Sequence, residues 1–212
     1  MIWGRLSLAF SACLTLSIFN SSDWGIAAHQ KDKIDQIFDG LTNSDAPGFA
    51  LLVKKNGRVA LERYYGVRDL RTKKPIDSQT NFRLASCTKQ FTAMAVMLLV
   101  RNGKLRYEQR LTEIFPEFPA YGKRITIRNL LNHTSGLPDY EELMKQASAG
   151  KSPRWTETRQ IRDVEVLKLL EEQSSGKFLP GTRWSYSNSG YVLLGLVAAK
   201  VSRKPFEDLL QE

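Results

Sequence analysis

Two cysteines and two histidines are all that 212 residues contain, and that scarcity removes several classes of function at once. The cysteines, Cys13 and Cys87, are far apart. Cys13 lies in an N-terminal stretch that reads as a secretory leader: Arg5, then apolar residues from Leu6 to Phe19, polar Asn20-Ser21-Ser22, and the small residues Ala27-Ala28. Cleavage after Ala28 leaves Cys87 alone, so no intramolecular disulfide can form. Lipid attachment at Cys13 is the alternative for this segment, although the apolar run continues past the cysteine. With His29 at the expected cleavage site, His133 and Cys87 remain, and they do not make a zinc site without a clustered carboxylate set.

Long apolar runs are also missing. Leu6 to Phe19 is too short to span a bilayer, and no later stretch is longer, so no transmembrane segment is expected. Acidic residues are the minority charge: 22 against 31 basic ones, a formal net charge of +9. The basic residues (Lys54, Lys55, Arg71, Lys104, Arg124 among them) are scattered rather than interleaved with aromatics, so the charge reads as solubility and attraction to an anionic envelope, not as a nucleic-acid surface.

What is present starts with Ser86-Cys87-Thr88-Lys89, directly before the apolar run Phe91 to Val100. The spacing places a hydroxyl and an amine one helical turn apart on one face, at the start of a helix expected to be buried. A lysine in a first turn opposes the helix dipole, so a structural reason for it is lacking. The chemistry that suits the pair is a serine nucleophile whose proton passes to a lysine kept neutral by its surroundings. The plain alternative is that Ser86 only caps the helix. A capping box would place Glu or Gln at position 89, where lysine stands. Two further Ser-x-x-Lys strings, Ser148 to Lys151 and Ser174 to Lys177, lie in Gly- and Ser-rich loops. Cys87 projects about 100° away from Ser86 around such a helix and reads as a small buried residue. Ser148 to Ser152 resembles the end of a phosphate-binding loop but lacks its first glycine and its strand.

Along the chain, Ile34 to Leu41 reads as a short amphipathic helix. Gly48 to Val53 and Arg58 to Tyr65 flank Asn56-Gly57, a strong hairpin signal. Gly66 to Asp77 reads as a loop, and the Ser86 helix is expected to end at Asn102-Gly103. Leu105 to Phe115 is read as polar and partly helical. Thr126 caps a short helix through Leu131, and His133 to Pro138 turns. Ser148 to Trp155 is read as flexible. Asp163 to Glu172 is an amphipathic helix with Val164, Leu167, Leu169 and Leu170 apolar. Pro180-Gly181 turns, Tyr191 to Val201 is an apolar helix, and Pro205 opens another. No repeat and no linker is evident; residues 29–212 read as part of a single domain.

Tyr186-Ser187-Asn188 is a second constellation, about 100 residues beyond Ser86. A phenol beside Ser86 could accept or relay its proton, and the Asn188 amide could orient an acylamino group. A loop tyrosine followed by an N-capping asparagine is the structural reading of the same string.

Three stretches together carry a resemblance: Phe82-Arg83-Leu84-Ala85-Ser86-Cys87-Thr88-Lys89-Gln90-Phe91-Thr92-Ala93, Leu130-Leu131-Asn132-His133-Thr134-Ser135-Gly136-Leu137, and Pro180-Gly181-Thr182-Arg183-Trp184-Ser185-Tyr186-Ser187-Asn188-Ser189-Gly190-Tyr191. In order and content they resemble the serine β-lactamase and penicillin-binding-protein superfamily, in its class C-like branch. The resemblance implies an α+β fold of the β-lactamase/transpeptidase type, a helical region beside an antiparallel sheet flanked by helices. It implies Ser86 as the acylated nucleophile, Lys89 as its activating partner, Tyr186 as general base and Asn188 as a substrate-binding group. The Ser86 backbone N–H would supply half of an oxyanion hole. His133 falls in the family's structural loop and is given no chemistry. Lys89 and Tyr186 would titrate as a coupled pair, and which takes the proton stays open.

Implied substrates are small molecules or peptides with an acyl group: β-lactams, D-Ala-D-Ala peptides or simple esters. No metal or organic cofactor is implied. The expected location is a bacterial periplasm or exterior. Relatives carry a third motif, Lys or His followed by Thr/Ser-Gly, well after Tyr-x-Asn, and none follows Tyr186 here. The expectation is therefore an N-terminal portion of a longer enzyme, without the C-terminal strands and the second oxyanion donor, and poorly active as written. A non-catalytic envelope binding protein on the same scaffold is the competing reading.

Overall fold

The computed structural model describes residues 33–38, 45–149, 154–156 and 158–211. The leader with Cys13, His29, the end of the first expected helix and the second half of the Ser148 to Lys151 string lie outside them. The chain divides into two compact units, Met1–Phe82 and Arg83–Glu212, with no Gly- or Pro-rich stretch at the junction.

The first unit holds a helical stretch at residues 33–37 (α1) and two hairpins. Strands β1 (Phe49–Lys55) and β2 (Arg58–Tyr65) pair antiparallel from Phe49↔Tyr65 to Lys55↔Arg58, with a bulge at Val53/Lys54. Asn56 and Gly57 both take positive φ, 51° and 77°, the backbone that a two-residue turn of matching twist demands. Residues 66–77 are more ordered than a loop. Val67–Asp69 (β3) pairs with Lys74–Pro75 (β4). Pro75 is tolerated because its strand lies at an edge of a two-stranded sheet and need not donate. Leu61, Val67 and Ile76 are buried in this unit, whereas Leu52 and Val59 are exposed.

The second unit is helical. A 3-10 turn, Ala85–Cys87, runs into α2 (Thr88–Arg101), which stops at Asn102 and at Gly103 in the left-handed region. There follow α3 (Leu111–Ile114), a 3-10 turn at Ala120–Arg124, α4 (Ile127–Leu131), α5 (Tyr140–Ala147), α6 (Asp163–Glu171), α7 (Asn188–Ser202) and α8 (Phe206–Leu210). Thr126 caps α4, its hydroxyl accepting the Asn129 N–H at 3.2 Å. The centre is α7, whose Leu193, Leu194, Val197 and Ala198 are fully buried against α2, α4 and α6.

Several expectations change on this scaffold. Only one face of α2 is buried, through Thr92, Ala95, Val96 and Leu99; Phe91 and Met94 are more than half exposed. An all-apolar run therefore does not imply burial on every side. Leu105 to Phe115 is less polar in its role than in its composition, because Leu105, Leu111, Ile114 and Phe115 all enter the core. In α6 the inward positions are Val166, Leu169 and Leu170, while Val164 is 48 % exposed, because two residues before Val166 it lies about 200° around the helix. Trp155, expected in a flexible stretch, is buried in the same core.

Candidate active site

The entry to α2 is built from a strained residue outward. Ala85 has φ +47°, which an L-residue with a Cβ adopts at a cost, and it turns the chain so that the 3-10 turn can feed the helix. Ser86 then projects at the helix start without capping it, since no side-chain cap bond forms at either the turn or α2. Lys89 lies one turn on, and its Nζ donates to Ser86 Oγ at 3.3 Å. Cys87, between them in sequence, is exposed and free rather than buried. The tight 3-10 turn points it outward while the core is filled from Thr92 onward.

The second contribution comes from the entry to α7. Ser187 is the N-cap, its hydroxyl accepting the Gly190 N–H at 3.0 Å, so Asn188 is the first helical residue and not the cap. Ser189, fully buried, donates to the Pro138 carbonyl at 2.7 Å and accepts the Tyr140 N–H at 2.9 Å. These two serines pin the backbone, and Tyr186 and Asn188, at the alternate positions, reach Ser86 and Lys89. Tyr186 Oη stands 2.5 Å from Ser86 Oγ, and Asn188 Oδ1 accepts from Lys89 Nζ at 2.7 Å. All four residues singled out in the sequence thus meet.

The electrostatics follow from these contacts. Hydrogen bonds from Lys89 and then Ser86, together with the lysine charge, hold the Tyr186 phenol below its ordinary pKa. Lys89 Nζ also lies 4.8 Å from the Tyr186 ring centroid and 5.5 Å from that of Tyr191. The site is open: Ser86 is exposed and Tyr186 is 46 % exposed, so the deep burial expected for a neutral lysine is not provided.

A groove of about 440 Å³ extends from Ser86 and Lys89, lined by Arg83, Tyr140, Glu141, Asp163, Asn188 and Val192 among others. Burial raises the Asp163 carboxyl above its ordinary pKa. No group of three or more metal-ligating side chains exists among the described residues. No helix among them is long and apolar enough to cross a membrane.

The turn after α4 supports the tyrosine segment. The His133 carbonyl accepts the Ser185 N–H (2.9 Å), that of Thr134 the Gly181 N–H (2.9 Å) and that of Gly136 the Lys177 N–H (2.7 Å). His133 Nδ1 accepts the Ser187 N–H at 3.1 Å, and its ring stacks on Tyr186 with centroids 4.7 Å apart. The sequence placed His133 in a structural loop without chemistry and left Ser187 and Ser189 with no role of their own. For Ser187, its place directly before a helix starting Asn-Ser-Gly was an available capping signal.

Comparison with known proteins places this geometry in context. The chain is 32% identical over 184 residues to penicillin-binding protein 4* of Bacillus subtilis (strain 168), covering 86% of this chain and 39% of that protein. Among solved structures it is similar to EstCE1, a hydrolase with promiscuous acyltransferase activity, with a TM-score of 0.68, 26% identity, 90% of this chain covered and 51% of the other. It is also similar to the D-amino acid amidase of Ochrobactrum anthropi SV3 complexed with D-phenylalanine, with a TM-score of 0.64, 29% identity, 89% of this chain covered and 48% of the other. The chain thus spans about two fifths of the length of the Bacillus relative. The Beta-lactamase family profile matches residues 34–212, a span that takes in Ser86, Lys89, His133 and Tyr186. With the fold and these similarities agreeing, the chain belongs to the superfamily of serine β-lactamases and penicillin-binding proteins.

Proposed function

We propose that this chain carries the acylation machinery of an exported serine hydrolase of the class C-like branch, which forms an acyl-enzyme on Ser86. The observation that carries the reading is the convergence on one hydroxyl: Tyr186 Oη at 2.5 Å and Lys89 Nζ at 3.3 Å from Ser86 Oγ. Both lie within or near the range needed for proton transfer. The coupled Lys89–Tyr186 pair takes the Ser86 proton as Oγ attacks the acyl carbonyl. The phenol is the better-placed acceptor: it is the nearer group, and hydrogen bonds from Lys89 and Ser86 lower its pKa. As the tetrahedral intermediate collapses, that proton passes to the leaving nitrogen or oxygen. Water or an amine then resolves the ester. The Ser86 N–H would supply one oxyanion donor.

Asn188 gives its carbonyl oxygen to Lys89, which leaves its amide N–H₂ to meet a substrate carbonyl. The substrate class is an acyl compound: a β-lactam, a D-Ala-D-Ala peptide, a simple ester or, by likeness to the amidase, a D-amino acid amide. Residues 1–28 would direct export to a periplasm or the cell exterior and be removed.

The test is covalent labelling of the full chain with a fluorescent penicillin and with a fluorophosphonate. A Ser86-dependent adduct is expected, abolished by Ser86→Ala and slowed about 100-fold or more by Tyr186→Phe. Label that survives Ser86→Ala sinks the reading. Saturable binding without any adduct, unchanged by that substitution, favours the non-catalytic binding protein.

A further inference from the structure

The bond pattern around His133 has a feature that a helix stop alone does not explain. His133 follows α4 with φ +62°, a left-handed conformation that glycine or asparagine adopts more readily than histidine. From this one residue come two bonds to the tyrosine segment, the carbonyl to Ser185 N–H (2.9 Å) and Nδ1 to Ser187 N–H (3.1 Å). They bracket Tyr186. Between them the imidazole lies nearly parallel to the phenol ring, 4.7 Å away with planes 30° apart.

We propose that His133 is a positioning residue for the acylation step: neutral, with its proton on Nε2, it tethers both neighbours of Tyr186 and so holds the phenol oxygen at Ser86. The inference deepens the hydrolase reading and rests on it for its kinetic part. An Nδ1 that accepts from a backbone N–H must carry a lone pair, which fixes the tautomer. Protonation would set an Nδ1–H against the Ser187 N–H, two donors facing each other. It would also add a positive charge near Lys89. The titratable groups facing the ring are Lys89 from α2, Tyr186 from the preceding segment and Tyr191 from α7, whose ring is 5.2 Å away. Burial first, and the Lys89 charge second, lower the His133 pKa from its ordinary 6.5, so the tether is intact at neutral pH. As pH falls through that lowered value the tether is lost, and acylation loses it too.

Three measurements on the full-length chain test this. Nitrogen-15 NMR of the imidazoles, of which there are only two, is expected to show an Nε2–H tautomer titrating below 6.5. In labelling with fluorescent penicillin, His133→Phe keeps a ring but loses the acceptor and is expected to acylate about 10- to 100-fold more slowly, whereas His133→Asn, whose Oδ1 can replace Nδ1 and which tolerates positive φ, stays within about threefold. The wild-type acid inflection that coincides with the NMR midpoint is expected to vanish in His133→Asn. Equal losses in both variants, or an Nδ1–H tautomer at pH 7, overturn the proposal. The tautomer measurement needs no variant, so it decides even if His133→Phe does not fold. A wild-type chain with the expected tautomer and titration but no Ser86 adduct supports the tether while defeating the hydrolase reading.

Discussion

Ala85 is the residue on which the direction of the Ser86 side chain turns. At φ +47° its Cβ opposes the backbone by about 1–2 kcal/mol, and the strain sits directly before Ser86. Ala85→Gly removes that opposition but loosens the unfolded chain by about 0.5–1 kcal/mol, so the net expectation is a change between zero and about 1.5 kcal/mol of added stability. Ala85→Val, β-branched in a left-handed position, is expected to lose about 2 kcal/mol. Urea unfolding midpoints of the two variants decide this. A loss above about 1 kcal/mol in the glycine variant would show that the strain account is wrong. Around Ser86 itself the sequence was informative, because a three-residue spacing converts directly into one helical turn. Cys87 was misread for a related reason: an adjacent position says only that two side chains diverge, not which of them faces the core.

At the level of elements, the hairpin and the Ser86 helix could be read from local signals alone. Asn-Gly fixes a turn and Gly103 fixes a stop, and both act within a few residues. The approach of Tyr186 to Ser86 could not be read that way. Nothing in the spacing of about 100 residues encodes it; it depends on the turn at residues 133–136 clasping the segment that carries Tyr186. The resemblance to a known superfamily supplied what local physics did not, placing His133 in a structural loop without chemistry of its own. Gly136 shows how tight the clasp is. Its φ is +71°, and a Cβ there would stand 2.2 Å from the Phe178 carbonyl oxygen, a backbone atom that cannot step aside cheaply. Gly136→Ala is therefore expected to cost about 3 kcal/mol and to displace Tyr186. Thermal unfolding together with penicillin labelling checks both effects. A stable variant with ordinary labelling would mean that the clasp is dispensable.

For the whole molecule, two charge arguments make opposite forecasts about alkaline pH. A net charge of +9 favours loss of protons, since self-repulsion then falls. Within residues 83–212, however, burial raises the phenols of Tyr121, Tyr140 and Tyr191 above their ordinary 10, most of all Tyr121, whose hydroxyl donates to the Leu170 carbonyl at 2.7 Å. A group with a raised folded pKa contributes stability that is complete below its unfolded value and is lost as pH rises toward the folded one. Short-range burial outweighs diffuse, screened repulsion, so melting temperature is expected to fall above about pH 10. In Tyr121→Phe, less stable at pH 8 by about 1 kcal/mol, the alkaline fall is expected to be shallower. A melting temperature that holds or climbs up to pH 11 would reverse the ranking of the two forces.

The alternation at the mouth of α7 carries one more consequence. Odd-numbered Ser187 and Ser189 grip backbone, while even-numbered Tyr186 and Asn188 meet Ser86 and Lys89. Because Asn188 and Ser189 already lie in the first turn of α7, one residue more or fewer would rotate each side chain by about 100° and uncouple the two bonds to backbone from the two to Ser86 and Lys89.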